Sequence, residues 1–183
     1  MRDDTLRLFF ALPCPPESAA AICAWRDALA LGGRALAAEH LHLTLVFLGQ
    51  QPRARLDELR RLAAGIEAAP FVLHLDRLDA GRHGLLWLAP SAPPAALERL
   101  AAQLRERLQA AGVDCDGRPL HPHLSLLRHA AARPAEAHPD FAWPVEAFAL
   151  YASLPTPRGV RYRELGRWPL RASLQPPRHA APP

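Results

Sequence analysis

The sequence predicts an α+β fold, or a split α/β arrangement, with largely antiparallel pairing. Three observations carry this. About seven or eight short apolar runs of strand character are joined mostly by brief connections marked by proline and glycine. Only three segments show the three- and four-residue apolar recurrence of helices. No Gly-x-Gly-x-x-Gly follows a strand and no Gly-Lys-Ser/Thr loop occurs, which excludes a classical dinucleotide or P-loop site.

The elements follow in order. Residues 6–12 (LRLFFAL) form a buried strand, stopped by Pro13-Cys14-Pro15-Pro16 because proline cannot continue a hydrogen-bonded ladder. A helix opens at Pro16-Glu17 and reaches Leu31, with Ile22, Trp25 and Leu29 recurring along it and Gly32-Gly33 closing it. Residues 41–48 form the next strand, ended by Gly49. Strict alternation puts His42, Thr44, Val46 and Leu48 on one face, and Leu41, Leu43, Leu45 and Phe47 on the other, the core face. A helix over 53–68 carries Leu56, Leu59, Leu62, Ala63 and Ile66 on its apolar side. Residues 71–78 and 85–88 read as paired strands around a turn at Ala80-Gly81. A third helix runs from Pro93 or Pro94 to Ala110, lined by Leu97, Leu100, Leu104 and Leu108. Its Glu98, Arg99, Arg105, Glu106 and Arg107 read as a solvated face without function. Residues 124–127 form a strand and 130–144 a loop. Two closing strands, 145–153 and 160–168, are joined by a turn over 155–159. Residues 1–174 make one domain, and the proline-rich residues 175–183 a flexible tail.

Half of the 183 residues are hydrophobic, which excludes a disordered chain. The balance of 22 basic and 18 acidic residues gives a net charge of +4. That excess suits an anionic substrate gripped at its end and is too small for a protein that coats nucleic acid. Three cysteines, without a Cys-x-x-Cys, argue against a disulfide framework or a cysteine-rich zinc site and for a reducing compartment. The acidic opening Met1-Arg2-Asp3-Asp4 leads into a short strand rather than a long apolar segment. The expected location is the cytoplasm, with no membrane partner.

One short phrase occurs twice. His42-Leu43-Thr44-Leu45 is followed 81 residues later by His123-Leu124-Ser125-Leu126. In each copy a histidine and a hydroxyl side chain share a strand face. Two histidines can divide acid and base work near neutrality. One takes a proton from attacking water and the other gives a proton to a leaving oxygen. In an in-line displacement the pair flanks the phosphorus, and Thr44 and Ser125 donate to its non-bridging oxygens. Such chemistry needs no metal and no cofactor.

These phrases resemble the paired HxTx motifs of the 2H phosphoesterase superfamily, and more closely the bacterial and archaeal RNA 2',3'-cyclic phosphodiesterases, also called 2'-5' RNA ligases. Arg7–Leu12 is similar to the family's opening strand, Leu41–Gly49 to its first motif, and Pro122–Arg128 to its second. Phe148, Leu150, Tyr151, Ser153, Tyr162 and Trp168-Pro169-Leu170 are similar to its closing strands, so the resemblance spans residues 5–171. It implies a bilobed fold, with two pseudo-symmetric lobes around a central cleft. It implies hydrolysis of a terminal 2',3'-cyclic phosphate on RNA to a 2'-phosphomonoester, by a monomer acting on RNA ends such as tRNA fragments or on small cyclic nucleotides. His42 is then the general acid for the departing O3' and His123 the general base for water. Thr44, Ser125 and Arg128 bind the phosphate, and Phe47 is a further substrate-binding candidate. The reverse reaction, 2'-5' ligation, is a side activity.

The sequence departs from the family pattern in three places. Ser125 stands where threonine is common and keeps the hydroxyl. His40 stands where asparagine or another residue is expected. Arg128 has the wrong strand parity for the cleft, and reaches it only if the strand ends or bulges near Leu127; otherwise it is a surface cation. Two other readings compete. His40-x-His42 and His121-x-His123 could together offer four imidazoles to zinc if each pair shared a strand face. A non-catalytic RNA-end-binding module would stack bases on Phe9, Phe47 and Tyr151 and leave a cyclic phosphate intact. His74 and His83 read as exposed strand and turn residues, and His129, His138 and His179 as loop or tail.

Overall fold

The first strand sets the frame of the molecule. A computed structural model describes residues 4–132, 134, 136–157 and 159–171. The tail from Gln175, with His179, and Arg158 of the last turn lie outside these residues. β1 (Thr5–Pro13) runs antiparallel between β3 (His42–Pro52) and β9 (Ala147–Thr156), and β9 pairs with β10 (Gly159–Pro169). Beyond β3 the same sheet continues through β7 (Leu124–Arg128), β6 (Leu86–Ala89) and β5 (Arg77–Ala80). The two-residue β2 (Arg34–Ala35) also pairs with β7. β4 (Phe71–Leu75) and β8 (Phe141–Val145) form a separate two-stranded ladder. Every pairing among the described residues is antiparallel. The α+β class is the observed one.

Three helices complete the fold. α1 (Pro16–Ala28) packs near β8, with Trp25 edge-on to Phe141 at 5.7 Å. α2 (Leu56–Ala64) and α3 (Ala95–Ala110) pack together, and α3 also packs on β3. α3 buries Leu97, Leu100, Ala101, Leu104 and Leu108, the i, i+3, i+4, i+7 stripe that an amphipathic helix presents to a core. These side chains join Leu8, Phe10, Leu12, Leu43, Leu59, Leu73 and Trp143 in one buried apolar cluster. None of the described helices is long and apolar enough to cross a membrane.

The sheet narrows where β3 meets β7. A single pair, Leu43 opposite Leu124, joins the strands, and both residues are fully buried. This pair is the pivot of a local pseudo-dyad. Antiparallel pairing there sets Thr44 beside His123 and Ser125 beside His42. The resemblance predicts two lobes; the main chain forms one ladder whose halves are joined by this single pair.

Each motif strand is bulged just past its hydroxyl residue. Phe10 faces Val46 while Ala11 faces Thr44, so Leu45 is the extra residue of β3. Leu86 faces Leu127 while Trp87 faces Ser125, so Leu126 is the extra residue of β7. An extra residue inverts the alternation beyond it. Leu45 and Val46 are therefore both buried, as are Leu126 and Leu127. The next residues, Phe47 and Arg128, swing to the side of Thr44 and Ser125. Phe47 is thus half-buried and not a core-face residue, which corrects the strict alternation assumed from sequence.

Other boundaries also differ. Gly49 does not end the strand; at φ +66° it carries β3 through a second irregularity to Pro52. α1 stops at Ala28, and the second helix is a 3₁₀ turn over Arg53–Arg55 followed by α2, which ends at Gly65. The run 71–78 splits at Asp76, whose carboxylate accepts from the Ser91 N–H at 2.7 Å and from Ser91 Oγ. Its first part pairs with β8 and only its second part with β6. Residues 141–144 are strand rather than loop, because β8 supplies the partner that β4 needs.

Candidate functional site

The bulged strands deliver their polar residues to one cavity of about 180 Å³, lined by Leu36, His40, His42, Thr44, His123, Ser125, Arg128 and Tyr162. Both repeated phrases thus face one space. Arg128 reaches it because of the Leu126 bulge. Phe47 lies outside it, in an adjoining groove that shares Thr44 and His123 with the cavity.

The two histidines are anchored alike. His42 Nδ1 lies 2.7 Å from the His40 carbonyl, and His123 Nδ1 lies 2.8 Å from the His121 carbonyl. A carbonyl can only accept, so each Nδ1 carries the proton that it donates. In the neutral ring the lone pair then sits on Nε2. This explains what the neighbouring histidines do. His40 ends a 3₁₀ turn and His121 precedes β7, so neither extends a strand face with its partner. Among the described residues, no group of three or more His, Cys, Asp or Glu side chains is arranged to hold a metal ion.

The surroundings of the two rings differ. His42 is wrapped by Phe9 at 5.0 Å, Tyr162 at 4.9 Å and Tyr151 at 6.4 Å between ring centroids. Burial against these rings pushes the His42 pKa down from 6.5 to about 4, and the nearby His123 and His40 push the same way. The hydrogen bond to the His40 carbonyl opposes the shift only in part. His42 is therefore neutral near pH 7. His123 meets Trp87 at 6.0 Å and His121 at 5.8 Å. Tyr151, half-buried and close to Glu164, has its phenol pushed up to about 12 and stays protonated.

The strand that carries Arg128 is clamped at its end. β2 pairs Arg34 with Arg128 and Ala35 with Leu127, and the Leu36 N–H donates to the Leu126 carbonyl at 2.9 Å. His129 takes φ +55°, and the N–H groups of His129 and Ala130 donate to the carbonyls of His83 and Gly84. Gly33 and Gly84 flank this turn. At either one, a Cβ would lie within 2.7 Å of backbone atoms in residues 128–130. Both glycines also have positive φ.

The sequence reading gave no site role to Tyr162, Trp87 or Arg105. Tyr162 reaches the cavity from β10, and Trp87 reaches His123 through its register with Ser125, so both depend on pairings between distant strands. Arg105 lines the groove beside Phe47 instead of standing on a purely solvated face, and its Nη2 donates to the Arg118 carbonyl at 3.0 Å.

Comparison with known proteins places this architecture among relatives. Residues 14–154 match a family model described as the 2'-5' RNA ligase superfamily. The chain is 40% identical over 171 residues to the RNA 2',3'-cyclic phosphodiesterase of Escherichia coli, covering 90% of this chain and 96% of that one. It is 33% identical over 181 residues to the RNA 2',3'-cyclic phosphodiesterase of Thermus thermophilus, covering 91% of each. The crystal structure of Escherichia coli LigT in apo form superposes with a TM-score of 0.83 at 37% identity, covering 91% of this chain and 98% of that one.

Proposed function

The chain belongs to the 2'-5' RNA ligase superfamily, and from that premise we propose that it hydrolyses terminal 2',3'-cyclic phosphates on RNA to 2'-phosphomonoesters. It is an enzyme of the cyclic phosphodiesterase kind, as its relatives' names support. The observation that carries the reading is the cavity between two identically anchored histidines, with Thr44, Ser125 and Arg128 on its wall.

The cyclic phosphate occupies the cavity, with its non-bridging oxygens toward the Thr44 and Ser125 hydroxyls and the Arg128 guanidinium. Water attacks phosphorus from the His123 side and loses a proton to His123 Nε2. The P–O3' bond breaks, and His42 Nε2 protonates O3', leaving a 2'-phosphate and a free 3'-hydroxyl. The unlike surroundings support unlike roles. His42 is shielded by aromatic rings and gains a proton once the anion arrives beside it, which suits the acid. His123 borders the wider groove, through which water enters, which suits the base.

The substrate end comes from RNA, with tRNA fragments and small cyclic nucleotides as the candidate classes. The protein works as a monomer in the cytoplasm, in keeping with its three free cysteines. The reading uses no metal or cofactor, so turnover persists in chelator. The deciding experiment is incubation with an oligoribonucleotide that ends in a 2',3'-cyclic phosphate, followed by identification of the product. A 2'-phosphate is expected; a 3'-phosphate, or an intact cyclic end, overturns the proposal.

A further inference from the structure

α1 buries a charge where its periodicity asks for an apolar residue. The helix turns Ala19, Ile22 and Arg26 inward at three- and four-residue spacing. Among the described residues, Arg26 is the only charged side chain that is buried, at 6% exposure. A buried guanidinium costs stability unless its N–H groups find good partners. Its Nε–H donates to Asp27 Oδ1 at 2.8 Å, but Asp27 is 65% exposed, so water screens that pair. The partner away from the helix is the Leu36 carbonyl, which accepts from Arg26 Nη1.

Leu36 stands at the strand end that carries Arg128. Its side chain lines the central cavity. Its N–H donates to the carbonyl of Leu126, the extra residue of the β7 bulge. That bulge turns Arg128 into the cavity, and without it strict alternation puts the side chain on the opposite face. The pivot relates Phe47 to Arg128, yet the two bulges are held differently. On β3 the long β1 ladder runs along one side of the bulge, and on the other the Asp116 N–H donates to the Phe47 carbonyl at 2.8 Å. On β7, beyond Leu124, β6 covers one side, and the other has the two residues of β2 and the Leu36 N–H. So short a strand has little stability of its own. Arg26 ties it to the helix.

We propose that Arg26 is a positioning residue for Arg128. It holds Leu36, Leu36 holds the Leu126 bulge, and the bulge aims the Arg128 guanidinium at the phosphate. This rests on the phosphate-binding role given to Arg128 above. Without the Arg26 donor, the Leu36 carbonyl loses its partner, β2 loosens from β7, and Arg128 spends less of its time in the cavity. Arg26 acts from behind this wall and touches no substrate, since it does not line the cavity.

A double-mutant cycle tests the proposal. Arg26→Met keeps an apolar stem and removes the donors, and it is made in the native chain and in Arg128→Ala. Two quantities are measured on the folded fraction: kcat/KM for an oligoribonucleotide ending in a 2',3'-cyclic phosphate, and affinity for inorganic phosphate. Arg26→Met is expected to lower each by about 10-fold in the native chain and by less than about 2-fold in Arg128→Ala, the non-additivity of residues in one network. The Leu36 amide should exchange its hydrogen faster in Arg26→Met, and Arg26→Lys, which keeps a donor, should restore part of both losses. If Arg26→Met does not fold, the cycle is run with Arg26→Lys, where a smaller loss that again vanishes in Arg128→Ala is expected. Equal losses in both backgrounds, or unchanged kcat/KM and phosphate affinity in the folded variant, overturn the positioning role. Phosphate binding needs no turnover, so a native chain that leaves the cyclic end intact overturns the hydrolytic reading while the phosphate cycle still decides on Arg26. A native chain that binds no phosphate overturns the roles of Arg128 and Arg26 together.

Discussion

A phosphodiester anion that enters the central cavity should turn His42 from a neutral ring into a protonated one. The His42 pKa is about 4, because burial against aromatic rings disfavours the imidazolium. One negative charge at ~4 Å, with an effective dielectric constant of ~20, favours the imidazolium by about 4 kcal/mol. That is about 3 pKa units, enough to carry His42 to about 7. Linkage fixes the sign for binding. The bound pKa lies above the free one, so the extra affinity is fully present below pH 4 and is lost as pH rises through about 7. The assay is the inhibition constant of an inert phosphodiester, whose single charge does not titrate in this range, measured from pH 4 to 8 alongside an NMR titration of the His42 ring. Affinity should weaken by up to about 1,000-fold across the window, and much less in His42→Asn. A His42 ring that titrates near 6.5 in the free protein, or that does not move on binding, refutes the reasoning.

Four further outcomes are expected. Changing either His42 or His123 to alanine should cut turnover by about 100-fold or more, the usual scale for a positioned acid or base, and the native pH profile should be bell-shaped; steady-state kinetics from about pH 3 to 9 measures both. Arg128→Ala should lower turnover of the cyclic phosphate and weaken phosphate inhibition, where a mere surface cation would change neither. Gly84→Ala should cost about 1–3 kcal/mol by denaturant unfolding, because it forces a Cβ into the Ala130 backbone at positive φ; its remaining activity should resemble that of Arg128→Ala. Acid should destabilise the native fold between pH 6.5 and 4, where the unfolded chain binds a proton that folded His42 refuses. His42→Asn should abolish up to about 3 kcal/mol of that loss, read from unfolding curves at the two pH values.

The parts of the site that were legible in the sequence depend on local periodicity. His42 with Thr44, and His123 with Ser125, share a face because two residues separate them and no irregularity falls between. What lay beyond the bulges was not legible in the same way. Leu45-Val46 and Leu126-Leu127 are consecutive apolar residues, and strict alternation puts one of each pair on the wrong side. Two adjacent buried apolar residues directly after the hydroxyl are a bulge signal once both copies of the phrase are compared. The partners of the strands were less legible still. β4 finds β8 some seventy residues away in the chain, and Tyr162 finds His42 through β10 and β9. Such pairings depend on sheet order, which short-range patterns do not encode.

The same comparison explains how a repeated phrase can serve an asymmetric reaction. Hydrolysis of a cyclic phosphate is not symmetric about phosphorus, since one side loses an oxygen bond and the other gains one. The backbone around the pivot is close to symmetric, down to the two Nδ1 anchors and the two bulges. Symmetry is broken by what the flanking strands bring. On the His42 side, β1, β9 and β10 supply three rings around the histidine, and a cation, Arg128, stands at the dyad position. On the His123 side, β6 supplies one ring, and the dyad position holds Phe47 beside an open groove. Burial against its aromatic rings keeps His42 neutral until an anion arrives. In the proposed reaction, the open groove on the other side admits the nucleophile. If these flanks set the roles, opening the His42 side with Tyr162→Ala should raise the resting His42 pKa toward 6.5 and shift the acidic limb of kcat/KM, which reports the free protein, with it. An unchanged acidic limb would place the origin of the asymmetry elsewhere than in the rings.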